Sequence, residues 1–275
     1  MKERIIVAVV CLPLVFIILF FLPPLALTVA IAVICAISAY ELLHAIGPKQ
    51  NERVTIYAVF SAALVPVGVH FDAGELVFLA VFLVLMCIVF VEAMLVFRMK
   101  RQITFAQVLT ALFAGALIPF LLSGLVSLKS MQEGHLLVLL PVISAFITDA
   151  GAYFAGAFFG KRKAFPLISP KKTIEGYIGG LVIGTAAMII YGGILYYTTL
   201  YEIRLWALIL YGVIGAAVTE LGDLAFSLVK REFDVKDYGR LLPGHGGMLD
   251  RFDSMVFTAP AMYLLVSAIP AIVVS

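Results

Sequence analysis

Long apolar runs, broken by short polar stretches, set the pattern of this chain. Residues 5–22, 25–46, 54–70, 75–97, 103–128, 135–159, 174–200, 204–229 and 252–274 form nine such runs, and a membrane-crossing helix takes about 20 apolar residues. Pro23 and Pro24 are all that separates the first two, which predicts a tight helical hairpin. The third run is short and contains Pro66 and Gly68, so its helical pattern is the weakest of the nine. The first run follows Lys2 and Arg4 as a secretory signal would. Its 18 residues nevertheless exceed the usual h-region of about 7–15, and no small-x-small cleavage site follows, so it reads as a retained span. No internal repeat stands out.

Composition agrees with the pattern. Of 275 residues, 63% are hydrophobic and 13% charged, against about 45–50% and about 25% in soluble domains. A mean hydropathy of +1.12 excludes a soluble globular enzyme and a disordered chain. Cys11, Cys35 and Cys87 all sit inside apolar runs, which excludes a disulfide scaffold and marks them as small buried hydrophobes.

Lys and Arg gather in cytoplasmic loops, and this rule tests the count. With the N-terminus inside and nine alternating spans, all but Lys129 and Arg204 of the 19 basic residues fall on the cytoplasmic side. The expected fold is therefore an all-α polytopic membrane protein of about nine helices, N-terminus cytoplasmic and C-terminus opposite. Residues 1–134 hold about five generic spans; residues 135–275 hold about four, with the cytoplasmic loops 160–173 and 230–251. Acids inside spans lead into both loops, so the chemistry is expected in this second part.

Asp149 lies in the sixth run, and Glu220 and Asp223 in the eighth, followed by Ser227 and Lys230. Steps of three, four and three put positions 220, 223, 227 and 230 on one helical face. A rise of roughly 10 Å from Asp223 to Lys230 carries that stripe toward the cytoplasmic surface. Asp250 and Asp253 are again three apart, at the start of the ninth run. An Asp near a span centre costs about 2.5–3.5 kcal/mol. Oxygen donors without matching His or Cys suit hard cations, magnesium or calcium rather than zinc. Four such acids at one depth beside two basic loops would repel each other without a cation. Glu41, Glu92 and Glu175, taken singly, read equally well as interfacial acids paired with a neighbouring Lys or Arg.

Segment 241–250 surrounds His245 with Gly244, Gly246 and Gly247. Such a turn lets successive backbone N–H groups form an anion-binding nest, although it also reads simply as a re-entrant turn into the last span. It is not a Walker A loop, because no Lys-Ser/Thr follows. His245 alone reads as a hydrogen-bonded loop residue. Ser169-Pro170-Lys171-Lys172-Thr173 opens onto the N-terminus of the seventh span, a placement suited to phosphate. Lys161, Arg162 and Lys163 read as ordinary positive-inside charge. Small residues at four-residue spacing (Ala152, Gly156 and Gly160; Gly176, Gly180 and Gly184) read as helix-packing faces.

Taken as one gapped pattern, Ser227-Leu228-Val229-Lys230-Arg231, Lys236-Asp237, Pro243-Gly244-His245-Gly246-Gly247 and Asp250-Arg251-Phe252-Asp253 resemble the signature of the phosphatidate cytidylyltransferase (CDP-diacylglycerol synthase) family. The likeness extends to Gly222-Asp223, Asp149–Tyr153 and Ser169–Gly176. It covers most of residues 149–254; the first 140 residues match only as generic spans. The resemblance implies transfer of CMP from CTP to phosphatidic acid, releasing pyrophosphate, by a magnesium-dependent, multi-spanning, homodimeric enzyme open to the cytoplasm. It implies metal ligation by Asp223, Asp250 and Asp253 with Asp149 beside them, and leaves open a second, monovalent cation. The catalytic set so implied is Asp223, Lys230, Arg231, Asp250, Arg251 and Asp253. Substrate contacts are expected from Ser169, Lys171, Lys172, Thr173, Ser227, Lys236, His245, Gly246 and Gly247. CTP, phosphatidic acid and the lipid bilayer are the expected partners, with no nucleic acid. The absence of a targeting extension points to a bacterial plasma membrane. Two rivals use similar parts: a CTP-dependent kinase of a polyprenol or other lipid alcohol, and an ion-coupled transporter.

Overall fold

The computed structural model describes residue 13 and residues 15–46, 51–97, 102–241 and 246–273. Most of the first expected span lies outside them, with Cys11 and His245; residues 15–20 are helical. The chain divides into two compact units, residues 1–132 with 232–252, and residues 133–231 with 253–275. Most of the 230–251 loop groups with the N-terminal unit.

In the first unit, α1 (Pro24–Ile46), α2 (Glu52–His70) and α3 (Gly74–Leu95) follow the second, third and fourth apolar runs. Asn51 starts α2 by accepting the Arg53 N–H, and the helix continues through Pro66 to His70. A Cβ on Gly68 would lie 2.5 Å from Val77 Cβ, so the glycine permits close approach of α3. The fifth run is one interrupted helix. A Thr104–Gln107 capping box opens α4 (Phe105–Leu112), a π-helical turn follows at Phe113–Leu117, and α5 (Ile118–Leu122) and α6 (Gly124–Ser130) complete it. Gly115 sits in the π turn, where a Cβ would lie 2.9 Å from Ala58 Cα. Lys129 is buried and its Nζ donates to Leu19 O. Cys35 is buried as expected, but Cys87 is exposed on α3. A membrane helix meets lipid with its apolar side, so apolar surroundings in sequence do not dictate burial within the protein.

In the second unit, α7 (Gly134–Leu137) leads into α8 (Leu139–Phe159). The 160–173 loop folds into a hairpin of β1 (Lys163–Phe165) and β2 (Ser169–Thr173). Then come α9 (Ile174–Thr198), β3 (Glu202–Ile203) and α10 (Leu205–Glu232). The helix α11 (Leu249–Ala268) and β4 (Ile272–Val273), which pairs with β3, complete the chain. The small-residue faces do pack: a Cβ on Gly176 would lie 2.9 Å from Ala152 O and 3.3 Å from Gly156 Cα.

Among the described residues, seven helices are long and apolar enough to cross a membrane. The chain is an all-helical polytopic membrane protein apart from two short strand pairs. The twenty-residue α11 begins with Asp250, Arg251 and Asp253.

Candidate active site

The second unit gathers acids and lysines from four elements. Helix α8 supplies Asp149, β2 supplies Lys172, α10 supplies Glu220, Asp223, Ser227 and Lys230, and α11 supplies Asp253 and Ser254. Lys172 Nζ donates to Asp223 Oδ2, and Ser227 Oγ donates to the other oxygen of that carboxylate at 3.4 Å. Lys230 Nζ stands 3.7 Å from Asp253 Oδ2, with both side chains about nine-tenths covered. Ser254 Oγ donates to Asp149 Oδ2 at 3.3 Å, while the Ser254 N–H donates to Asp253 Oδ1 at 2.8 Å. Asp253 also feels the charges of Asp223 and Asp149. The helical stripe read from the sequence is thus one electrostatic cluster.

Lys172 lies outside the spans, on the hairpin. Burial pushes its ammonium pKa down, but the Asp223 carboxylate outweighs that effect and leaves it raised above the usual 10.5. The ammonium also sits 5.5 Å from the centre of the Tyr177 ring, within cation–π range. Lys172 is therefore a fixed positive charge at neutral pH.

Glu220 belongs to this cluster although the expected site set omits it. It is buried, its Oε1 has no hydrogen-bond partner among the described residues, and Lys172, Asp149 and Asp223 are its charged neighbours. Its signal in the sequence was its place three residues before Asp223.

The remaining expected residues divide. Lys171, Arg251 and Lys236 are exposed, and Ser169 is half-buried in β2. Arg231 is exposed and its Nε donates to Ile168 O at 3.1 Å, tying the hairpin to the end of α10. Thr173, expected to contact substrate, is buried, and its hydroxyl caps α9 by accepting the Gly176 N–H at 3.1 Å. An unsatisfied helix-start amide competes effectively for such a hydroxyl. Glu175 accepts the Lys161 and Arg162 backbone N–H groups at 3.0 and 3.2 Å, and Glu92 pairs with Arg53 at 3.5 Å.

In the first unit, the glycine turn is organised by two carboxylates. Gly246 has φ +87°, the left-handed region that favours glycine. Asp250 Oδ2 accepts the Gly247 N–H at 3.0 Å and the Tyr238 N–H at 2.8 Å. Glu41 accepts the next two amides, Met248 on Oε1 and Leu249 on Oε2, both at 2.9 Å. The anion nest expected at Gly247 therefore receives carboxylates of the protein. For Glu41 the sequence left pairing with a Lys or Arg as one of two equal readings. Its true partners lie more than 200 residues away, which local spacing does not reveal.

A model of the cytidylyltransferase family matches residues 2–269. The chain belongs to the cytidylyltransferase family. Among named relatives of this family, the phosphatidate cytidylyltransferase of Bacillus subtilis is 33% identical over 97% of this chain and 98% of its own length. Those of Staphylococcus haemolyticus and Staphylococcus saprophyticus are 43% and 42% identical, over 49% and 50% of this chain. The matched part spans about half the length of these two staphylococcal relatives.

Of the expected metal ligands, Asp149, Asp223 and Asp253 lie in the second unit and Asp250 in the first. Among the described residues, no three His, Cys, Asp or Glu side chains stand together as a metal cage. Lys172 and Lys230 reach two of the aspartates, and Asp250 spends an oxygen on backbone amides. The donor set nevertheless fits magnesium, which usually takes one or two carboxylates and completes its shell with waters and substrate phosphates.

Proposed function

We propose that this chain is a phosphatidate cytidylyltransferase, converting CTP and phosphatidic acid to CDP-diacylglycerol and pyrophosphate. The observation that carries this reading is the end-to-end match to the Bacillus subtilis enzyme of that name. The acid–lysine cluster supplies the chemistry. An oxygen of the lipid phosphate attacks the α-phosphorus of CTP in line. The bond to the α–β bridging oxygen breaks, and pyrophosphate leaves with its electron pair. The second pKa of a phosphate monoester is near 6, so the nucleophile is already ionised and needs no strong base. The obstacle is bringing two polyanions together, which makes positioning and charge neutralisation the main work.

Lys172 and Lys230 neutralise phosphate charge from inside the cluster; Lys171, Arg231, Arg251 and Lys236 do so from exposed positions. Ser227 and Ser169 donate hydrogen bonds to phosphate oxygens. Asp223 and Asp253, with Asp149 beside them, would hold magnesium, which when bound polarises the α-phosphate and offsets charge on the leaving group. In this reading Asp250 keeps the glycine turn in place. His245 lies outside the described residues and keeps its expected place in substrate binding.

The same reading includes nine spans with the N-terminus cytoplasmic, the C-terminus opposite and the site facing the cytoplasm of a bacterial plasma membrane, in a homodimer. The basic-residue distribution supports the orientation. The test is pyrophosphate release by the purified full-length chain. Release from CTP that depends on added phosphatidic acid is expected; CTP consumption that ignores phosphatidic acid would overturn the assignment.

A further inference from the structure

Glu41 sits near the end of α1 and is only 5% exposed. A buried carboxylate in an apolar span is costly, and it persists where strong hydrogen bonds compensate. Its two oxygens take the Met248 and Leu249 amides, at the start of α11. Helix-start amides lack partners within the helix, and a negative charge there is favoured by the helix dipole. With Asp250 accepting from Gly247, three successive amides all donate to carboxylates. The packing admits nothing bulkier. A Cβ on Gly247 would lie 2.5 Å from Glu41 Oε2 and 2.7 Å from Gly239 N.

We infer that Glu41 is a positioning residue for CTP: its carboxylate clamps the Gly246–Gly247 turn and the first turn of α11, fixing the backbone that carries Asp250 and Arg251. This inference rests on the proposed cytidylyl transfer. Glu41 makes no substrate contact in it; the residue acts through the turn. A clamp of this kind selects which substrate suffers when it is loosened. Arg251, carried on that first turn, serves the triphosphate, whereas Lys171, on the β2 strand of the hairpin, serves the lipid phosphate and does not depend on the turn.

The experiment uses the full-length chain with CTP and phosphatidic acid in mixed micelles. In Glu41→Gln, one amide faces the new side-chain NH2 instead of an acceptor. The KM for CTP is expected to rise about tenfold, while the KM for phosphatidic acid moves by less than about twofold. Glu41→Asp, which keeps the charge on a shorter arm, is expected to recover part of the loss. Glu92→Gln, which changes another buried acid of the same unit, is expected to leave the CTP KM unchanged. Hydrogen exchange of peptides covering residues 246–250 provides a readout without turnover, and faster exchange in Glu41→Gln is expected. An unchanged CTP KM in Glu41→Gln, equal rises in both KM values, or unchanged exchange at 246–250 would each overturn the inference. A wild-type chain inactive with CTP and phosphatidic acid would instead sink the proposed activity, with the exchange measurement still deciding whether Glu41 clamps the turn.

Discussion

At the residue scale, charge compensation is the controlling effect. Asp223 and Asp253 each face a lysine and lie within reach of one another's charge, so neutralising one disturbs the whole cluster. Asp223→Asn is expected to leave a folded protein with the transfer rate reduced about 10²–10³-fold, the scale seen when one preorganised electrostatic group is removed. Steady-state rates on the purified variant check this, and activity within about tenfold of wild type would contradict the assignment. The cluster was legible because it lies along one helix face: 220, 223, 227 and 230 recur at helical spacing. Thr173, Asp250 and Glu41 share a role that residue type alone does not specify. Each satisfies backbone amides that exist only once a helix begins or a turn closes. Residue type announces such capability, but the partner is set by tertiary structure.

At the element scale, seven of the expected spans correspond, among the described residues, to helices long and apolar enough to cross a membrane, the fifth and sixth as interrupted ones, and the last overlaps the shorter α11. Apolar length alone dictates this, because a chain in lipid must satisfy its backbone internally. The β1–β2 hairpin was not legible: its strands are three and five residues long, too short and polar for an alternating pattern. The glycine faces were legible, and they carry a quantitative consequence. Gly176→Val would drive a branched side chain against Ala152 O and the Gly156 backbone, an overpacking that costs about 1–3 kcal/mol. A lower melting temperature in detergent is expected. Gly193→Ala on the same helix meets nothing within 4 Å, so it is expected to melt at or above the wild-type temperature. If both variants melted alike, close packing would not be the role of Gly176.

At the scale of the whole molecule, the basic residues sort to one side of the bilayer in the proposed orientation, and the hairpin with its exposed Lys163 and Lys171 lies on that side. A cysteine introduced as Lys163→Cys is expected to react with a membrane-impermeant thiol reagent only after the cytoplasmic face is opened; reaction in intact cells would reverse the orientation. The overall reading joins family membership to a cluster of carboxylates and lysines of the kind that a metal-bound triphosphate needs. Its most direct test is the fate of labelled phosphate in CTP incubated with the purified chain, magnesium and phosphatidic acid. Label in the α-phosphate is expected to enter the lipid while label in the γ-phosphate leaves as pyrophosphate. Lipid labelled from the γ-position, or no lipid labelled from the α-position, would contradict cytidylyl transfer.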